Sequence, residues 1–165
     1  LDAAPYGGAR FPVEARLDGR TFVRFHLDVG AGDVVLAPFD MTHAHDWLEF
    51  AGIPGAEFPT ISREQHFAEK LHSYTLPRET PNSRARDLID MLLLIGSGKM
   101  DRAKVRLALD ATFKRRKTHP LPAALARPPA AWKAPFGALA GTCGLPVDLD
   151  AAYETLNSFY SKLPA

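Results

Sequence analysis

Apolar and polar residues alternate with period two from Arg10 to Val29 and take helical spacing after Ser62, so the chain reads as strands first and helices afterwards. The extended run Phe11-Pro12-Val13-Glu14-Ala15-Arg16-Leu17, an Asp18-Gly19 pair and a second run from Arg20 to Val29 predict an antiparallel hairpin. Asp-Gly takes the left-handed backbone of a tight hairpin turn at little cost. Along the second strand Val23, Phe25, Leu27 and Val29 share one face, which should meet a core. Phe22, Arg24, His26 and Asp28 share the other, so Asp28 leaves the core face beside His26 and Arg24.

The short apolar run Val34-Val35-Leu36-Ala37 predicts a further strand, then a loop or short helix carrying His43, His45 and Asp46 before Trp47-Leu48. Gly and Pro punctuate the stretch from Ala51 to Pro59, which should cross in an extended form. Ser62-Arg63-Glu64-Gln65 has capping-box spacing, so a helix should start at Ser62 and run through His72 or Tyr74, burying Phe67, Leu71 and Tyr74. Lys70 falls about 60° from Phe67 at roughly 100° per residue, so its stem lies along the buried stripe and its ammonium reaches past the edge. A loop with Pro77, Pro81 and Asn82 leads Ser83-Arg84-Ala85-Arg86-Asp87 into a second helix ending near Gly96. That helix is apolar on nearly every side except where Asp87 and Asp90 stand one turn apart.

Further helices are expected over Asp101 to Phe113, Ala130 to Ala140 and Asp148 to Ser161. The basic Lys114-Arg115-Arg116-Lys117 should break the first of these, and a Pro-rich link runs through Pro128-Pro129. The fold class is therefore α+β, an antiparallel hairpin or partial sheet followed by a mainly helical C-terminal part. The expected division is 1–60 for the strands and 61–165 for the helices.

Composition narrows the class further. The chain has 20 Lys+Arg against 19 Asp+Glu, so no global field argues for a polyanion, and 46% hydrophobic residues suffice for an ordinary core. Cys143 is the sole cysteine, which excludes an internal disulfide framework and suits a reducing, cytoplasmic compartment. The longest apolar run, Met91-Leu92-Leu93-Leu94-Ile95, falls far short of the roughly 20 residues that a membrane helix needs.

The first candidate constellation is Asp28 on a strand, Lys70 on a helix edge, and Asp87 with Asp90 on the next helix. Carboxylates from separate elements can hold Mg²⁺ and a lysine can meet a triphosphate as a point charge, a set suited to phosphoryl or nucleotidyl transfer. The same residues also read as an interhelical Lys70–Asp87 ion pair with a solvated Asp28. Asp40, His43, His45 and Asp46 are ligand types for a metal, but their spacing fits no established motif, and surface or packing roles are expected. Lys99, Arg102, Lys104, Arg106 and Lys114 to Lys117 form a basic cluster that could meet RNA phosphates or simply face solvent. Gly96-Ser97-Gly98-Lys99 lacks the spacing and the preceding strand of a phosphate loop, and Asp148-Leu149-Asp150 reads as a helix N-cap.

Four blocks occur in an order that resembles the AbiEii/AbiGii nucleotidyltransferase toxin family: Phe25-His26-Leu27-Asp28-Val29, Phe58-Pro59-Thr60-Ile61-Ser62, Ala68-Glu69-Lys70-Leu71-His72, and Arg84-Ala85-Arg86-Asp87-Leu88-Ile89-Asp90-Met91. The resemblance implies a DNA polymerase β-like transferase from a toxin–antitoxin or abortive-infection system, which uses Mg²⁺ to move a nucleotide from an NTP to an RNA acceptor, tRNA in some members. By motif, Lys70 would contact the nucleotide phosphates, Asp87 would be the essential helical carboxylate, and Asp28 would match the third metal-site carboxylate. Arg86 and Asp90 would support them, and a cognate antitoxin would be a partner. The family's Gly-Ser/Thr turn and Asp-x-Asp pair, expected before the Asp28 strand, are absent from these residues. The expectation is a chain that is incomplete as an enzyme, with a catalytically inactive module binding antitoxin or RNA as the alternative.

Overall fold

The computed structural model describes residues 6–78 and 84–164. The opening Leu1 to Pro5 and the loop residues Pro81, Asn82 and Ser83 lie outside the described residues. The chain divides into two compact units, Leu1–Val34 and Val35–Ala165.

The first unit is the expected hairpin. Strands β1 (Gly8–Leu17) and β2 (Arg20–Gly30) pair antiparallel, with Phe11 opposite Leu27, Val13 opposite Phe25 and Arg10 opposite Asp28. Asp18 and Gly19 both take positive φ, 49° and 70°, as the two central residues of a type I′ turn must. A register shift at Ala15/Arg16 adds a bulge. The alternation is as the sequence predicts, but the apolar face is not buried as a core face: every residue of β2 is exposed, with Phe25 at 49% and Leu27 at 52%. A two-stranded ribbon has no second layer of its own to cover that face.

In the second unit, Val35–Ala37 forms no strand, contrary to the sequence expectation. The backbone N–H of Leu36 donates to the Gln65 side chain at 2.9 Å, and Leu36 packs on the helical core. A side-chain acceptor thus takes the place of a neighbouring strand. The ladder forms instead between β3 (Asp40–His43) and β4 (Glu57–Thr60), with Asp40 opposite Thr60 and His43 opposite Glu57. The loop between them closes on Gly55, where a Cβ would lie 2.7 Å from the Ala44 carbonyl oxygen, so only glycine allows that approach.

Helix α1 (Arg63–Thr75) starts where the capping box predicts, with the Ser62 hydroxyl accepting from Gln65 N–H at 3.2 Å. Helix α2 spans Ala85–Gly96. Helix α3 (Arg102–Arg116) is capped by Asp101, whose carboxylate accepts from the Ala103 and Lys104 N–H groups. The basic run does not break α3. It forms the last turn, where cations face the negative end of the helix dipole, and the helix stops only at Lys117 with φ 52°. Helices α4 (Lys133–Thr142) and α5 (Leu149–Tyr160) follow, the latter capped by Asp148 as expected.

One core serves this unit, joining Phe67 and Leu71 of α1, Leu88 and Met91 of α2, Val105 and Leu109 of α3, Phe136 of α4 and Leu156 of α5. The Pro-rich link enters it through its backbone. The hydroxyls of Tyr160, Tyr153 and Tyr74 donate to the carbonyls of Pro122, Leu125 and Ala126, so two helices fasten a segment that has no ladder of its own.

Candidate functional site

Helices α1 and α2 pack side by side, and their polar edges face each other. Phe67, Leu71 and Tyr74 are drawn into the core, so α1 is held in a rotation that directs Lys70 at the first turn of α2. Its ammonium lies 2.6 Å from Asp90 Oδ2 and 3.6 Å from Asp87 Oδ1. The lysine and Asp90 are partly exposed, whereas Asp87 is only 5% exposed. The sequence places this lysine and these two carboxylates near one another in principle, and the structure brings them into contact.

Asp87 is the least comfortable member of the group. Burial raises its pKa above the usual carboxylate range, against the opposing pull of Lys70 and Arg84. Its Oδ2 accepts no hydrogen bond among the described residues, and the nearest cation to it is Arg84 Nη1 at 3.6 Å. Arg84 stands one turn before Asp87 and was not singled out in the sequence, although its i,i+3 spacing carries that signal. Arg86 is exposed and forms no ion pair among the described residues. His66, one turn before Lys70, is a second member of the cluster that the sequence alone does not mark. Burial and the Lys70 charge lower its pKa, favouring the neutral imidazole at the rim of the same cluster.

Asp28 belongs to the hairpin unit. Arg10 Nε and Nη2 each donate to one of its oxygens at 2.7 Å, the fork-to-fork geometry of a bidentate pair. These bonds hold Asp28 below its ordinary pKa.

Several of the remaining candidates have structural partners. His43 Nδ1 lies 3.1 Å from Glu57 across the β3–β4 ladder, and His45 packs on Trp47. Among the described residues no group of three or more His, Cys, Asp or Glu could hold a metal ion. Arg106 pairs with Asp110 one turn on, and Arg102 lies over the Phe159 ring. Cys143 is an exposed thiol. No helix among the described residues is long and apolar enough to cross a membrane.

A hairpin followed by a helical unit, with a lysine held between helical carboxylates, invites comparison with nucleotide-transferring proteins, and a family model for nucleotidyl transferases matches residues 2–155. The chain belongs to that family, the nucleotidyl transferase AbiEii toxin of type IV toxin–antitoxin systems. Membership of a toxin–antitoxin family implies an antitoxin as partner. No curated protein matches the chain.

Proposed function

We propose that the protein moves a nucleotide from an NTP to a terminal hydroxyl of an RNA, with tRNA as acceptor, and that it acts in the cytoplasm. In this reaction the acceptor oxygen bonds to the α-phosphorus, the bond to the bridging β-phosphate oxygen breaks, and pyrophosphate leaves while the hydroxyl gives up its proton. The observation that carries the reading is the buried Asp87 beside a partly exposed Lys70. A purely structural pair would gain nothing from leaving a carboxylate oxygen buried and unbonded, at a cost of about 1–3 kcal/mol. Such a cost is ordinary where a ligand completes the site.

Lys70 would leave Asp90 for the triphosphate, steadying its charge as the acceptor approaches. Asp90 would then help orient the ammonium, and Arg84 would hold Asp87 in place. Arg86, exposed at the start of α2, would assist from the rim. The residues present suit Mg²⁺: Asp87 offers an unbonded hard oxygen and Asp90 a partly exposed one, and Mg²⁺ ordinarily takes one or two carboxylates beside substrate phosphates and water. Bound there, the ion would neutralise charge on the triphosphate.

Mass spectrometry of tRNA incubated with the full-length protein, each of the four NTPs and Mg²⁺ tests the proposal. The expected result is a mass gain of whole nucleotides with at least one NTP. One observation favours a catalytically silent module instead: Asp28 and Lys70 already have partners, Arg10 and Asp90. Unmodified tRNA with every NTP would support that reading.

A further inference from the structure

The basic end of α3 forms a second polar surface, separate from the Lys70–Asp87–Asp90 cluster. No Asp or Glu occurs between Ala111 and Val147, whereas Lys114, Arg115, Arg116, Lys117, Arg127 and Lys133 all lie there. Arg127 and Lys133 are neutralised by Asp150 and Glu154 of α5. Lys114 and Lys117 are exposed and meet no carboxylate among the described residues, and exposed Arg115 stands between them in sequence.

The turn that carries these cations is built rather than loose. The Lys117 N–H closes the helix on the Phe113 carbonyl. Buried His72 of α1 then holds the Thr118 hydroxyl at 2.8 Å, Thr118 holds His119 at 3.0 Å, and His119 Nε2 reaches Thr75 of α1 at 2.8 Å. The rings of His72 and His119 both pack edge-on against Phe113. A surface fixed in this way loses little freedom when it binds.

We infer that this turn binds the phosphodiester backbone of RNA. Helix-dipole stabilisation alone accounts for one or two cations in a last turn, at about 0.3–1 kcal/mol each, but not for four in succession ending on the cap residue itself. A protein-binding patch would need an apolar centre. Among the described residues 111–140 no large hydrophobic side chain is exposed, since Phe113, Trp132 and Phe136 are all buried. Exposed cations without exposed aromatics suit backbone phosphates rather than stacked bases. That the RNA is the acceptor strand rests on the transfer reaction proposed above.

The test is fluorescence anisotropy of a labelled single-stranded RNA, without NTP, titrated with the full-length protein at several salt concentrations. The variant Lys114→Gln/Arg115→Gln/Lys117→Gln is compared with Arg20→Gln/Arg63→Gln/Lys162→Gln, which removes the same charge from exposed positions outside the basic cluster. Arg116 is left intact because it approaches His72. The first triple should weaken binding by about tenfold or more and flatten the salt slope by about 2, three contacts at roughly 0.7 each, while the control triple binds as wild type. Melting curves confirm that each variant folds. Equal losses from both triples, no loss from either, or loss of antitoxin binding with RNA binding intact would overturn the inference. Because binding is read without NTP and transfer only with it, a failure of this surface and a failure of the proposed reaction are distinguishable.

Discussion

Asp87 shows how burial of one carboxylate can cost stability. Burial raises its pKa, so the folded chain holds this proton more tightly than the unfolded chain does. Its contribution to stability is therefore greatest at acid pH and declines as pH rises from the ordinary carboxylate range through the raised value. Replacing it with uncharged Asn should raise the melting temperature of the metal-free protein at neutral pH, with the gain fading under acid conditions, while transfer activity falls. Lys70 would keep Asp90 as partner in that variant. A lower melting temperature for Asp87→Asn at neutral pH would show that the ionised carboxylate stabilises the fold. The sequence shows Lys70, Asp87 and Asp90 through helical spacing, which sets which way a side chain points, together with the family resemblance of the motifs that hold them. Arg84 is legible in principle: of the two arginines at the start of that helix, it is the one that stands three residues from Asp87 and so shares its face.

At the scale of elements, local chemistry is read well and long-range pairing poorly. Ser62, Asp101 and Asp148 each satisfy N–H groups of the helix they precede, and short polar side chains ahead of an apolar period announce such caps. Asp101→Ala should cost about 1 kcal/mol in chemical denaturation, within the range for lost caps. The Asp18-Gly19 turn is equally local. By contrast, Val34 to Ala37 has strand-like composition but no strand partner, because Gln65 reaches Leu36 from α1, and no local pattern announces that bond. The tyrosine fastening of the Pro-rich link is likewise invisible in one dimension. Tyr153→Phe removes the hydroxyl bonded to Leu125 and should cost about 1 kcal/mol, with the acceptor carbonyl left buried. An unchanged denaturation midpoint for that variant would mean that the link is held by packing alone.

For the whole molecule, the two units carry different loads. Every buried hydrophobic residue among those described lies between Phe67 and Leu156, inside the second unit, while the hairpin's strands bury none. A fragment comprising residues 35–165 should therefore unfold cooperatively with a helical circular dichroism spectrum, and a featureless melt would show that the hairpin supplies essential stability. The α+β class was legible because the change from period two to helical spacing survives folding. The boundary at Val34 was not, since it depends on which surfaces meet rather than on composition. The central claim is that Lys70, set between Asp87 and Asp90, handles the nucleotide phosphates. Single-turnover transfer of a labelled nucleotide to tRNA by the full-length wild type and Lys70→Ala measures this directly. The account predicts a loss of about 100-fold or more in the variant, as when a group that stabilises transition-state charge is removed. Equal transfer rates for the two proteins would contradict it.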